Sequence, residues 1–361
     1  MQRSSAHPFI FNVNELSFAE FKQLVGQGNQ VTRNSRYAVK SCPGANVITS
    51  QAQMSLWEEF IVVVFLAFTI PGCVISIPIL LTMVGWLVGN LKLVWSCGLA
   101  LIGVLALIPA PFREDALSSW LSYQILRYFS FKAVWHDVFE NNRPAIKVAP
   151  PHGVFPYGNL LTMIAYPSIF GFSFKGLAAS AAVSIPIFKH CLGTIGAISA
   201  SNKSATSALE KNLTIGISTG GVAEVFETNS SEDEEVILLK ARTGLVKLAM
   251  RTGAELIPCY LFGNTKLFSL WSGGPLHSVF KALSRKIGFA LIIFWGRLFL
   301  PIPYRKPIFG VMGSPIPVEK NENPTPEEIS VLHARLCAEM VSLFDKYKGA
   351  YGWDHKRLII E

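Results

Sequence analysis

The chain has 361 residues, half of them hydrophobic and only 16% charged, a balance that excludes a disordered or strongly solvated main body. Its 32 Lys and Arg against 24 Asp and Glu leave a formal charge of +8, which points to an anionic partner: nucleic acid, phosphate or a membrane surface. A positive mean hydropathy and the lack of any long basic run favour the membrane and argue against nucleic acid. The six cysteines (42, 73, 97, 191, 259 and 337) form no CxxC pair and no metal-ligand spacing, so they read as reduced thiols with no metal site.

Residues 1–55 are rich in Asn, Gln and Ser without a sustained period. They read as a loosely ordered cytosolic arm with a short helix around Leu16–Leu24, and they do not resemble a cleaved signal peptide. From Phe60 to Phe112 the only charged side chain is Lys92. The stretch is too long for one membrane helix of about 20 residues, so residues 56–112 are predicted to form a membrane hairpin of two apolar helices. The first arm, Phe60–Val84, is expected to span despite Pro71 and Pro78, and the second runs Leu93–Pro109. The turn falls near Gly85, Gly89 and Asn90. A pair of buried core helices is the alternative, disfavoured because no polar face remains. Arg33, Arg36 and Lys40 before the hairpin, and Arg113, Arg127 and Lys132 after it, would hold both ends in the cytosol.

Residues 113–361 alternate strand-like and helix-like segments, which predicts an α/β layer fold. Ala145–Ala149 reads as a strand, Tyr157–Tyr166 as a helix, and Ser201–Asn212 as an amphipathic helix. Leu213–Thr219 and Leu256–Phe262 read as strands, and Leu239–Thr252 and Pro326–Lys348 as helices. Apolar Phe289–Leu300 reads as a buried strand, with lipid contact as the second option.

Three groups can carry chemistry. His152 follows a strand and Pro150-Pro151, and Gly153 comes next. That puts an imidazole at the carboxyl end of a strand, where ligands of α/β sheets bind and a general base works near neutral pH. A turn-capping histidine is the competing reading. Glu224 follows a second strand through Gly220-Gly221, so it is either an inward carboxylate or an exposed loop residue beside Glu227 and Glu232–Glu235. Arg242, Lys247 and Arg251 lie in or beside one predicted helix, Lys247 and Arg251 on one face and Arg242 off to its side, a basic surface suited to phosphates or simply solvated. Signatures of phosphate loops, dinucleotide folds and serine-hydrolase elbows are absent.

Pro151-His152-Gly153 with Gly158, Gly220-Gly221-Val222-Ala223-Glu224 and Arg242-Thr243-Gly244-Leu245-Val246-Lys247-Leu248-Ala249 occur in that order after the apolar hairpin. Gly253-Ala254-Glu255-Leu256-Ile257-Pro258, Phe262-Gly263, Gly313-Ser314-Pro315-Ile316-Pro317 and Leu343-Phe344-Asp345-Lys346-Tyr347-Lys348 continue the series. Over residues 57–361 this ordered set resembles the type 2 diacylglycerol acyltransferase family, which includes monoacylglycerol and wax-alcohol acyltransferases. The resemblance implies a glycerophosphate-acyltransferase-like α/β acyltransferase domain over 113–361, with acyl-CoA as donor substrate and no cofactor. It implies diacylglycerol as acceptor, membrane lipids as surroundings and the endoplasmic-reticulum membrane as location, with the catalytic domain facing the cytosol. Lipid droplets as a further location and a homo-oligomer stay open.

On this reading His152 is the base and Glu224 its helper carboxylate, orienting the imidazole. Pro151, Gly153, Gly158, Gly220 and Gly221 are the motif and oxyanion candidates, and Arg242, Lys247 and Arg251 hold acyl-CoA. Two departures stand out. Many members have His-Pro-His-Gly where this chain has Pro150 first, and Tyr157 occupies the place of the aspartate that distant relatives pair with their histidine. Monoacylglycerol or long-chain alcohol acylation, a thioester hydrolase and a non-catalytic membrane lipid-binding protein are the competing readings.

Overall fold

A computed structural model describes residues 4–27, 41–69, 71–137, 143–171, 174–226, 232–271, 279, 282–284 and 292–361. Eight strands form one mixed sheet in the order β1 (Ser4–Asn12), β2 (Lys132–Asp137), β11 (Phe309–Met312), β8 (Glu255–Phe262), β3 (Ala145–Val148), β6 (Thr214–Ile217), β4 (Phe174–Ala178) and β5 (Ala197–Ser199). From β8 to β5 every neighbouring pair is parallel. Two smaller pairs join β7 (Glu234–Ile237) to β12 (Arg357–Ile360) and β9 (Ser269–Leu270) to β10 (Phe294–Trp295).

Alternation along the strands sends side chains to opposite faces, and helices cover both. Ala145 and Ala149 face one core with α5 (Trp120–Tyr128) and α6 (Tyr157–Ala165). Ile146 and Val148 face the other, with α8 (Asn202–Glu210), α10 (Thr243–Thr252) and α11 (Pro326–Tyr347). The α11 helix starts on a Thr325–Glu328 capping box with Pro326 at its first position. The expected α/β layering is present. One predicted helix begins later than expected, at Thr243, because the Leu239 carbonyl takes His333 Nε2 at 3.0 Å and the Lys240 N–H goes to Glu361 at 2.7 Å.

The first 55 residues are not a loose arm throughout. β1 adds an antiparallel edge to β2, and α1 (Phe18–Gln27) follows it. Phe11, Val13, Phe21 and Val25 are fully buried, which is what holds this polar-looking segment on the domain.

The apolar region is three helices rather than two. The first, α2 (Leu56–Phe68), opens on a Ser55–Glu58 capping box, and α3 (Cys73–Leu87) leaves it at 93°. Pro71 cannot continue the helical hydrogen bonding, and a Cβ at Gly72 would lie 2.1 Å from the Ala67 carbonyl oxygen, so the expected single arm Phe60–Val84 breaks here. Pro78 is accommodated inside α3. The α3 helix packs against α4 (Leu91–Leu107), closely enough that a Cβ at Gly98 would meet Leu81 at 2.7 Å. Their turn lies at Val88–Asn90, as the sequence suggests, and Asn90 caps α4 through the Leu93 N–H at 3.0 Å. No single helix among the described residues is long and apolar enough to cross a membrane.

The basic flanks also differ from expectation. Arg33, Arg36 and Lys40 lie outside the described residues. Arg113 is exposed, but Arg127 pairs with Glu58 at 2.9 Å and Lys132 is fully buried, with Nζ 2.9 Å from the Ser50 carbonyl. Nor is Phe289–Leu300 a buried strand where it is described. β10 is two residues long, and Leu298 and Phe299 beyond it are more than 80% exposed. All six cysteines are free.

Candidate active site

Three adjacent parallel strands, β6, β3 and β8, end at one edge and each delivers a site residue. Glu224 comes from α9 (Gly221–Val225) after β6, His152 from the turn after β3, and Asn264 from the turn after β8.

His152 is half-buried, and its Nδ1 lies 2.9 Å from the Gly153 carbonyl. A carbonyl oxygen only accepts, so Nδ1 carries the proton and Nε2 keeps its lone pair. Burial lowers the imidazole pKa below its ordinary 6.5, with the Gly153 hydrogen bond opposing, so the ring is neutral at neutral pH. His152 lines an apolar cavity of about 260 Å³ whose wall also includes Val154, Met163, Phe174, Phe188 and Val225.

Glu224 is 1% exposed, which removes the loop reading. Its Oε2 accepts the backbone N–H of His152 at 2.6 Å, and its Oε1 accepts that of Leu238 at 3.0 Å. The expectation that this carboxylate would take the imidazole is therefore revised. It fixes the main chain that carries the ring, while the Gly153 carbonyl sets the tautomer. Burial pushes the Glu224 carboxyl up to about 7 against the pull of the two N–H groups and Arg242. Tyr157 packs between Phe129 and Phe268 as part of the core, with ring centroids 5.2 and 6.1 Å away.

Asn264 was not singled out from sequence. Its Nδ2 donates to the carbonyls of Pro151 (3.0 Å) and His152 (2.7 Å), and its Oδ1 accepts the Gly158 N–H at 2.8 Å. One buried amide thus ties the histidine turn to the start of α6. Next to it, Thr265 donates to Glu235 at 3.1 Å, and Glu235 pairs with buried Lys356 at 3.0 Å, anchoring the same turn.

Most of the motif glycines make room for protein rather than substrate. Gly153 has φ +63°, and a Cβ there would lie 2.8 Å from the Asn264 carbonyl oxygen. Gly158 and Gly220 are filled from Leu261 and Glu224 in the same way. Gly221 is the exception: φ is +53°, its Cβ direction is open, and it lines the cavity. Ser218, just before it, also lines the cavity, and its buried hydroxyl meets no hydrogen-bond partner among the described residues.

The three basic residues do not share this edge. Arg242 lies at the start of α10, with a guanidinium nitrogen 3.4 Å from the Gly220 carbonyl. Because α10 runs antiparallel to the strands, Lys247 and Arg251 lie toward its other end. They line a polar groove with Pro144, which precedes β3.

Beneath the cavity, Lys147 of β3 is fully buried. Its Nζ donates to Thr162 Oγ1 at 2.9 Å and sits 4.2 Å from the Tyr166 ring centroid and 5.2 Å from that of Phe174. Burial lowers its pKa from the ordinary 10.5 to about 8. A base whose folded pKa is depressed costs stability while charged, so its contribution improves as pH rises from about 8 toward 10.5. Lys147→Met, which leaves Thr162 bonded to the Asn159 carbonyl, is expected to melt no lower than the native protein at pH 7 and to lose that pH dependence. Thermal unfolding of both proteins at pH 7 and 9.5 checks this, and a large loss of stability in the variant would contradict it.

Comparison with known proteins agrees with the motifs. A family model described as diacylglycerol acyltransferase matches residues 94–361. The chain is 34% identical to the Bos taurus protein 2-acylglycerol O-acyltransferase 1 over 69% of its length and 78% of the relative's. It is 30% identical to Danio rerio diacylglycerol O-acyltransferase 2, over 69% and 73% of the two chains. A mouse relative, acyl-CoA wax alcohol acyltransferase 1, is 29% identical over 69% and 80%. No solved structure matches. The protein belongs to the diacylglycerol acyltransferase family and is an O-acyltransferase.

Proposed function

We propose that the protein transfers a fatty acyl group from acyl-CoA to the free hydroxyl of diacylglycerol, at the endoplasmic-reticulum membrane, with His152 as general base. The observation that carries this is the free Nε2 lone pair of His152 at an apolar cavity, beside a strand edge built to hold it. In the reaction the acceptor hydroxyl gives its proton to Nε2 as its oxygen attacks the thioester carbon. The tetrahedral intermediate collapses, the C–S bond breaks, and the imidazolium returns the proton to the CoA sulfur. The products are the ester and free CoA, and the enzyme carries no acyl group at any stage.

Ser218 and the backbone at Gly221 are our candidates for binding the developing oxyanion, since both line the cavity and the serine hydroxyl is unpartnered among the described residues. Glu224 and Asn264 are positioning residues. Of the three basic residues we keep Arg242 as the acyl-CoA contact, on its approach to Gly220. The membrane assignment draws on α3 and α4, where Ile79, Met83, Leu99, Leu101 and Val104 are all more than half exposed; that much apolar surface is costly in water. The α4 helix of 17 residues is about 25 Å long, short of the roughly 30 Å hydrocarbon core, which favours a hairpin dipping in from one side.

The relatives act, by their names, on 2-acylglycerol, diacylglycerol and wax alcohols, so the acceptor is the point to test. Purified protein given labelled oleoyl-CoA and equal surface concentrations of diacylglycerol, monoacylglycerol and hexadecanol is expected to label triacylglycerol fastest. Faster diacylglycerol or wax-ester formation would reassign the acceptor. CoA release without any acceptor would favour a hydrolase.

A further inference from the structure

A second apolar cavity, of about 340 Å³, lies across α6 from the first. The helix divides its faces between the two: Asn159, Thr162 and Met163 line the His152 cavity, and Tyr157, Leu161 and Ile164 line the other. Leu160, and Leu192 of α7 (Pro186–Thr194), line both, so these two leucines form a shared wall. The far side is α2, through Phe65 and Leu66, with Thr69 at its end, and the same helix exposes Val64 and Phe68 outward.

Four polar residues on this wall have a polar atom engaged by the protein itself. The Thr69 hydroxyl donates to the Phe65 carbonyl at 2.7 Å, and that of Ser122 to the Ala116 carbonyl at 2.7 Å. His190 Nε2 is held by the Leu105 carbonyl at 2.9 Å, and Ser119 Oγ accepts the Ser122 N–H at 3.2 Å. What remains suits hydrocarbon and offers little to a headgroup or water.

We infer that this second cavity binds a hydrocarbon chain of the lipid acceptor, which enters past α2 and reaches His152 by the Leu160–Leu192 wall. The inference rests on the acyltransferase reading above and adds the acceptor's binding site to it. Acyl-CoA carries a polyanionic head that stays in water, so its chain enters from the strand edge at Gly220. The acceptor has no such head and arrives from the lipid side, where α2 is exposed. The His152 cavity, at about 260 Å³, lies just under the ~300–1,000 Å³ of pockets that take one small ligand, and it does not hold two long chains.

Ile195 lines the second cavity and not the first, and Leu121 does so from α5. The test uses full-length protein in lipid nanodiscs and a diacylglycerol with a diazirine at the end of one chain. Photolabelling is expected on residues 190–195 and 119–125, competed by dioleoylglycerol. Ile195→Trp is expected to reduce that label and to raise the KM for dioleoylglycerol about tenfold, the scale of a filled apolar pocket, without moving the KM for oleoyl-CoA or dihexanoylglycerol. Leu121→Phe repeats the test from the opposite wall should the first variant fold poorly. Label elsewhere, label unchanged in both variants, or a KM change for oleoyl-CoA alone would overturn the inference. Competed label at these residues in a protein that transfers no acyl group would uphold the lipid site and overturn the reaction reading instead.

Discussion

His152→Ala is expected to slow acyl transfer by about 10²–10⁴-fold, the worth of a positioned general base, while the protein stays folded. The reason lies in how the turn is held. The structural hydrogen bonds of His152 come from its main chain: its N–H donates to Glu224 at 2.6 Å, and its carbonyl accepts from Asn264 at 2.7 Å. Among the described residues its ring bonds only to the Gly153 carbonyl next door. Removing the ring therefore takes away the base and leaves the strand edge tied. Unchanged circular dichroism and melting temperature beside the lost rate would separate chemistry from folding. A folded variant with a normal rate would end the role of Nε2.

Glu224→Gln is expected to have the next largest effect, by another route. The carboxylate accepts two backbone N–H groups, whereas an amide offers one oxygen and one NH₂, so either the His152 or the Leu238 N–H then faces a donor. An unpaired buried N–H costs about 1–3 kcal/mol, which corresponds to about 5–150-fold in rate if the transition state bears it. The pH profile distinguishes positioning from general loosening. Because burial raises the Glu224 carboxyl to about 7, ionised Glu224 is lost as pH falls through that value, and kcat/KM should bend down there. In the Gln variant the bend moves below 6.5, where the lowered imidazole titrates. The stability effect has the opposite sign. A carboxyl raised above its ordinary 4.5 contributes fully below that pH and loses the contribution as pH rises through about 7. The ionised form that supports turnover is thus the less stable one, and melting temperature against pH should show it. A slowed variant with an unmoved acid limb would make Glu224 merely structural.

The chemistry was legible where one strand and its turn carry it. Ala145–Ala149 is apolar and runs into Pro-Pro-His-Gly, so His152 could be placed at a strand end from local pattern alone. Glu224 follows β6 in the same way, though nothing local told which atom of His152 it would meet. Asn264 was hidden because its role needs β8 beside β3, which brings Asn264 to Gly158, 106 residues away in sequence. The edge strand β1 was hidden by its polar neighbours; Phe9 and Phe11 become core only once β2 is there to pair with. The first apolar arm looked continuous because hydropathy does not register the 93° break beside Pro71. The basic residues in and beside α10 are spread along its length, which the sequence alone does not show. Basic residues in or beside one helix need not serve one ligand when the helix runs from one end of the sheet to the other.

Direct transfer by the His152 base is tested by labelled acyl-CoA mixed with purified protein before any acceptor is present. No label on the protein and no CoA release are expected until diacylglycerol is added. Labelled ester and CoA then appear together in the native protein, and about 10²–10⁴-fold more slowly in His152→Ala. Label trapped on the protein before acceptor is added, or a folded His152→Ala that matches the native rate, would contradict it.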